Sequence, residues 1–501
     1  MAVQSGTTAI APAQGIERAT AERDRLARMA HAIAWSGLGT WSTQLVSWVG
    51  TLAVARLLTP ADLGLVGMAN IFVGLVLALS EFGIGATIVN VRELGDREVA
   101  QINTVSVMFG FVGFLLSCLC AIPLGWFFHN DRLPSVVAAL GTTFAITSFK
   151  TVPAALLQRS HRFRDIAKVD AVSSLAYAGC SIAGALLGWQ YWSLVAGSLA
   201  WLTVQTMLTL RLVRTRFLWP DLRALRYPLR FGRHIVTADI SWYLYTNADF
   251  LAAGKMLGSS ALGSYSIAWT IANAPIEKIT SVVMRVLPAF FAASFADREA
   301  LRSYLYTLYE VLALITFPMA ALLALLAEPL ILAVLGPKWS AAVLPLRILA
   351  GFIAVRALTN VLMPLLNAQR QTKFTMWTNV AAAVYFPIGF FFGSRWGAPG
   401  IAAVWVVLFP VLAIPLFWRA QHEIGLQAGR IAGALWPAAS SVAYMVAALI
   451  VVGYVLPAGL SVYSRLGVQL AAAGAVYVLV LFTVHVEAMR SLFRTVRPLA
   501  S

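Results

Sequence analysis

Long apolar runs alternate with short polar breaks along this chain, and within each run there is none of the residue-by-residue alternation that barrel strands require. The runs are about twenty residues long, enough for an α-helix to cross roughly 30 Å of hydrocarbon with its backbone groups bonded internally. Cutting at charged or Pro/Gly-rich breaks predicts helices near 31–56, 63–89, 103–127, 134–157, 169–187, 191–211, 234–255, 260–291, 303–327, 341–366, 376–393, 397–418, 431–455 and 466–486. The predicted fold is therefore an all-α integral membrane protein of about fourteen transmembrane helices.

Composition agrees with the pattern. Hydrophobic residues make up 60% of the 501, charged residues only 12%, and the mean hydropathy is +0.78; soluble domains carry roughly 25% charge. A net charge of +16 raises the question of nucleic acid, but topology accounts for it. With the N-terminus in the cytoplasm, 26 of the 37 Lys and Arg fall on the cytoplasmic side, five lie within helices, and six are outside: Arg56, Arg132, Lys255, Lys338, Arg395 and Arg465. A miscount by one helix would scramble that bias, so it supports an even number of spans and two cytoplasmic termini; no nucleic-acid partner is implied. Trp126, Trp189, Trp192, Trp339 and Trp396 fall near the outer ends, where an interfacial belt is expected. Cys118, Cys120 and Cys180 lie inside apolar runs without metal-ligand spacing and read as packing residues, so neither a disulfide, a metal nor another cofactor is expected. Residues 1–28 read as a disordered cytoplasmic N-terminus, and the first apolar run is too long for a signal-peptide core and reads as a signal anchor.

Numbering the predicted helices exposes a repeat. The first outer hairpin, LTPADLG at 58–64, returns as LGSSALG at 257–263, an offset of 199; Leu58, Leu63, Gly64 and Ala69 recur as Leu257, Leu262, Gly263 and Ala268, and Arg56 is answered by Lys255. LLQRSHRF from 156 is echoed by LLNAQRQTKF from 365, and GWQYWSLVAG from 188 by RWGAPGIAAVW from 395. A duplicated six-helix unit keeps its orientation, which makes the repeat parallel and suits two bundles rocking around a central cavity. The predicted organisation is a first six-helix bundle at 29–213, a basic cytoplasmic linker at 214–233, a second bundle at 234–418, two further helices within 431–486 and a cytoplasmic tail at 487–501. Seven arginines over 211–233 suit anionic headgroups, so membrane lipids are expected partners.

The segments LTPADLGLVGM (58–68), EFGIGATIV (81–89), ALLQRSHRFRDIAKVDA (155–171) and NADFLAAGKMLGSSALGSYSIAW (247–269), in this order, resemble the polysaccharide transporter family of the multidrug/oligosaccharidyl-lipid/polysaccharide exporter superfamily. The likeness covers about residues 30 to 420 and is nearest to bacterial exopolysaccharide and O-antigen repeat-unit flippases. Leu63 and Glu81 stand where the family often has Phe and Asp. The resemblance implies a non-enzymatic inner-membrane flippase that carries a lipid-linked oligosaccharide, normally on undecaprenyl pyrophosphate, from the cytoplasmic to the periplasmic leaflet. A polysaccharide polymerase and export machinery are candidate partners. The alternatives are a cation-coupled multidrug exporter or a lipid II flippase of the same superfamily, and, from another class, a membrane polysaccharide polymerase or acyltransferase. Against an enzyme stand the absence of a P-loop, of an HExxH motif and of a large soluble loop.

An anionic sugar-bearing head requires a hydrated cationic route, so charges within the spans become candidates, each costing roughly 2.5–3.5 kcal/mol at a helix centre. Glu277, Lys278, Ser281 and Arg285 form a stripe on the eighth predicted helix, Asp239 and Asp249 share a sector of the seventh beside Asn247, and Arg356 and Asn360 are one turn apart on the tenth. Arg347 faces the other way, nearer the outer end. Arg285, Arg356 and Lys278, with Lys150 from the first half, are the candidate pyrophosphate ligands, arginine being favoured for its bidentate pairing with phosphate. Asp249, Glu277, Glu310 and Asp239 are candidate counter-charges or coupling groups, Asn247 and Asn360 candidate polar lining, and Glu81 a candidate gate. The competing reading of each is an internal ion pair that keeps helices in register, such as Glu277 with Arg285.

Overall fold

The computed structural model describes residues 50–80, 84–90, 94–221, 243–244, 246–274, 298–457 and 459–486. Helices in chain order are α1 (50–57), α2 (Pro60–Ser80), α3 (Ile84–Asn90), α4 (Asp96–Phe128), α5 (Leu133–Arg159), α6 (Phe163–Leu186) and α7 (Trp192–Leu212). After the linker come α8 (246–257, π-helical over Ala253–Leu257), α9 (258–274), α10 (Arg298–Leu325), α11 (Ala327–Val334), α12 (Val343–Thr359), α13 (Leu362–Ala368), α14 (Thr372–Gly393), α15 (Gly397–Ile424), α16 (Ala428–Val455) and α17 (Val462–Thr483). No strand occurs among the described residues, and ten stretches of them are long and apolar enough to cross a membrane. The longest, Thr372–Ile424, folds back at Gly397, so that α14 packs on α15.

Helix α4 shows how an almost wholly apolar segment chooses its faces. Phe111, Leu115, Leu119, Ile122 and Trp126 recur at helical spacing and are all exposed, whereas Gly110, Gly113, Ser117, Ala121 and Gly125 are buried. Lipid is as apolar as any core, so size decides: large residues face the bilayer and small ones let helices approach. A methyl group on Gly110 would stand 2.3 Å from Ser148 Cβ of α5, and one on Gly141 would stand 2.6 Å from Ser117 Oγ. Trp126, Trp189, Trp192 and Trp396 are exposed as belt residues should be; Trp339 is a correction, fully buried with its Nε1 donating to the Ala55 carbonyl at 3.0 Å. Its ring fills the contact between the halves, which a position near a span end does not reveal.

The repeated hairpins meet each other. Thr59 caps α2: its N–H and hydroxyl donate to Asp62 Oδ2 at 3.0 and 2.6 Å, and Asp62 N–H returns to Thr59 Oγ1 at 3.3 Å, with Pro60 in the first turn. Between α8 and α9 the chain turns at Gly258, whose φ of +82° favours glycine. Across the junction a Cβ on Gly64 would lie 1.7 Å from the Ser259 carbonyl oxygen, and one on Gly263 would lie 1.8 Å from that of Pro60. Pro60 and Ser259, like Gly64 and Gly263, are partners under the 199-residue offset, so repeat-related backbones touch around a pseudo-twofold axis.

At this hairpin end the apolar core runs unbroken from one half to the other, joining Val54, Met68, Leu133 and Val136 to Leu262, Ile331, Trp339 and Leu346. Toward the opposite end the first half keeps a core of its own, Ile88, Ile102, Val105, Val152 and Ala155. The start of the linker, 214–221, has no regular secondary structure and lies along the first turns of α4, where Asn103 Nδ2 donates to Thr215 Oγ1 at 3.1 Å and Gln101 Nε2 to the Trp219 carbonyl at 3.3 Å. Helix α16 packs on α10 and α17 on α16. Pro318 leaves the Leu314 carbonyl of α10 without its helical donor, and Tyr477 OH of α17 supplies one at 2.7 Å.

Candidate functional site

The second half holds a polar centre inside an aromatic shell. Asp249 lies about 12 Å from the end of α8 at 1.5 Å per residue and is 0% exposed. Its Oδ2 accepts from Tyr265 OH at 2.6 Å and Trp405 Nε1 at 3.0 Å, and its Oδ1 from the Phe250 N–H at 2.9 Å. Trp405 Nε1 also reaches Tyr265 OH at 3.1 Å, closing a triangle between α8, α9 and α15. Three donors fit a buried carboxylate, which accepts and cannot give. Around it pack Trp269, Phe352, Phe386 and Phe390, with ring centroids 4.8–5.3 Å from that of Trp405.

Tyr265, Trp269 and Asn273 follow one another at four-residue spacing on α9, so one face of that helix runs from the carboxylate to a guanidinium. Arg356, roughly 20 Å along α12 from its start, donates through Nη1 to Asn273 Oδ1, and its Cζ lies 5.4 Å from the Trp269 ring centroid and 5.9 Å from that of Phe352. Asn273 is 2% exposed and its Nδ2 donates to the Trp269 carbonyl at 3.1 Å, which fixes the amide with its oxygen toward the arginine. Among the described residues no carboxylate lies within 4 Å of Arg356, which is half-buried. A guanidinium held by ring faces and an amide oxygen keeps its positive charge.

Lys150 of the first half has different surroundings. Its Nζ donates to Gln205 Oε1, Gln205 Nε2 donates to Asp170 Oδ1 at 2.9 Å, and the ammonium sits 5.5 Å from the Trp201 ring centroid. The relay joins α5, α7 and α6, and Trp201 is exposed.

Of the remaining sequence candidates, Asn247 donates to the Tyr243 carbonyl at 3.0 Å and is half-buried, as are Asn360, at the end of α12, and Glu310 of α10. Arg347 pairs with Glu328 at 3.0 Å, both exposed. Arg285, Lys278, Glu277, Asp239 and Glu81 lie outside the described residues. Sequence reasoning missed Asn273, Tyr265 and Trp405. Asn273 carried a signal, since it stands one turn before the Glu277 stripe in an apolar run; Tyr265 and Trp405 carried none, because aromatic residues inside spans usually only pack.

Residues 53–344, more than half of the chain, match the family model described as polysaccharide biosynthesis protein. The lipopolysaccharide biosynthesis protein WzxC of Escherichia coli K12 is 26% identical over 375 residues, 73% of this chain and 75% of that one. The succinoglycan biosynthesis transport protein ExoT of Rhizobium meliloti is 24% identical over 387 residues, 75% and 76% of the two chains. In fold, the inward closed form of the lipid II flippase MurJ matches with a TM-score of 0.71 at 12% identity, covering 90% of this chain and 99% of that one. An inward-facing multidrug resistance MATE family transporter of the MOP superfamily gives 0.61 at 15% identity over 76% of this chain and 94% of its own. With a multi-pass helical architecture, a transporter fold and this family match, the chain belongs to the polysaccharide biosynthesis protein family.

Proposed function

We propose that this protein is a flippase of the bacterial inner membrane that moves undecaprenyl-pyrophosphate-linked oligosaccharide repeat units from the cytoplasmic to the periplasmic leaflet for exopolysaccharide, O-antigen or capsule assembly. Bundles 29–213 and 234–418, joined by the linker 214–233, alternate access to a cavity between them, with both termini and the basic end cytoplasmic and the hairpin end periplasmic. The observation that carries this reading is Arg356: a half-buried guanidinium without a carboxylate within 4 Å among the described residues, braced by Asn273 and two aromatic faces. Arg356 takes the pyrophosphate together with Arg285 and Lys278, Asn247 and Asn360 line the route, and Glu81 gates the cytoplasmic side. Asp249, Glu277, Glu310 and Asp239 supply counter-charge or coupling. Relatives named for lipopolysaccharide and succinoglycan favour a glycan cargo over lipid II.

The test is a strain in which this protein is the sole copy, scored for lipid-linked repeat units on each face of the membrane. Arg356→Ala with normal membrane insertion should strand repeat units on the cytoplasmic face, whereas a polymerase defect would leave them outside. Full export by that variant removes Arg356 from the site.

A further inference from the structure

The hairpin end carries a pair of contacts that the substrate reading leaves unused. Arg56 closes α1 and Lys255 lies near the end of α8, and the two are counterparts under the 199-residue offset. Each reaches across the junction to the end of a helix in the other half. Arg56 Nη1 donates to the carbonyls of Ala333 and Val334, the last residues of α11, at 3.0 and 3.1 Å. Lys255 Nζ donates to the Phe127 carbonyl, one residue before the end of α4, and lies 4.6 Å from the Phe127 ring centroid and 3.4 Å from His129 Nδ1. Helix C-termini present carbonyls without intrahelical donors and a partial negative charge, so a basic side chain there satisfies both at once. The first half thus clasps the second, and the second clasps the first, by the same chemistry.

We infer that Arg56 and Lys255 are a symmetric pair of clasps that hold the hairpin end shut and release together when the cavity opens to that side. No ion pair closer than 4 Å joins the halves among the described residues; both clasps lie at the end of the bundle, where water can take over the cation and the carbonyls. Ala333 does not lose its last partner either, because Tyr463 OH of α17 donates to the same oxygen at 3.1 Å. That bond also places the outer end of the last described helix against the clasp, so α17 contacts the part of α11 that Arg56 lets go.

The proposal rests only on the alternating-access part of the proposed function and not on the cargo or on Arg356. Its test uses the full chain in membranes, with Cys118, Cys120 and Cys180 replaced by alanine and a reporter at Leu262→Cys. Leu262 is 0% exposed and packs 3.5 Å from where a Cβ on Gly67 of the other half would be. A membrane-impermeant maleimide is applied from the periplasmic side of spheroplasts. Arg56→Ala or Lys255→Ala alone should raise the labelling rate about fivefold and the double variant about twentyfold, the size expected for a cation at a helix C-terminus. Arg56→Lys with Lys255→Arg should stay near the parental rate, and because labelling needs no cargo the result is separate from failure of the pyrophosphate reading. A double variant that inserts and melts normally in detergent yet labels at the parental rate overturns the proposal. Gly64→Val, whose side chain must push the Ser259 carbonyl away, shows in the same assay that the reporter sees an open seam.

Discussion

Two membrane-embedded cations, one in each half, both donate to an amide oxygen beside an aromatic ring and differ in what stands behind that amide. Lys150 donates to the Gln205 amide oxygen, and the Gln205 amide nitrogen donates to Asp170, so an acid of its own half stands one hydrogen bond behind its amide partner. Arg356 meets an amide and two rings, and no carboxylate comes within 4 Å among the described residues. An acid behind the amide helps a helix bundle tolerate a charge it must hold, and Arg356 has no such acid within 4 Å among the described residues. On this difference we propose Arg356 for the centre of the site and keep Lys150 as the weaker candidate from the first half.

Four substitutions break or sharpen that contrast. Arg356→Ala should lower repeat-unit export on the order of a hundredfold, the usual scale for truncating a hydrogen-bonded charge in a site. Arg356→Lys, which keeps charge but loses the planar fork, should lose roughly tenfold in the same export assay. Asp249→Asn should cost roughly 1–3 kcal/mol of stability, read as a lower Tm in detergent, because an amide nitrogen turned toward Tyr265 and Trp405 leaves donors facing a donor. Lys150→Met should change export by less than about threefold, since exposed Asp170 keeps its Gln205 donor when the ammonium is gone. Equal losses from Lys150→Met and Arg356→Ala would erase the distinction.

The spans were legible because a bilayer imposes one rule on every segment that crosses it. Predicted helices 134–157, 191–211 and 431–455 are observed as Leu133–Arg159, Trp192–Leu212 and Ala428–Val455. Departures have local causes. Helix α4 begins at Asp96 rather than near 103, because Asp96 and Glu98 suit a helix N-terminus and Glu98 Oε2 accepts the Gly95 N–H at 3.0 Å. Two glycines four residues apart play different parts: a Cβ on Gly184 would stand 3.0 Å from Ser193 Cβ, whereas Gly188 turns the chain at φ +80° with open space around it. Trp339 was misplaced because a large ring near a span end reads the same whether it meets headgroups or another helix.

By itself the sequence determined the solvent, the approximate spans and the repeat, since each follows from runs and spacings that the bilayer and gene duplication impose on local stretches of chain. It marked Asp249 and Arg356 as unusual but not what they touch. That Asp249 meets Trp405, 156 residues away, and that Arg56 finds the end of α11, 277 residues away, was decided only when helices packed. In a medium where both faces of a helix are apolar, polarity does not say which side turns inward; size, close backbone approach and the partners available to a buried charge do, and those exist only in three dimensions.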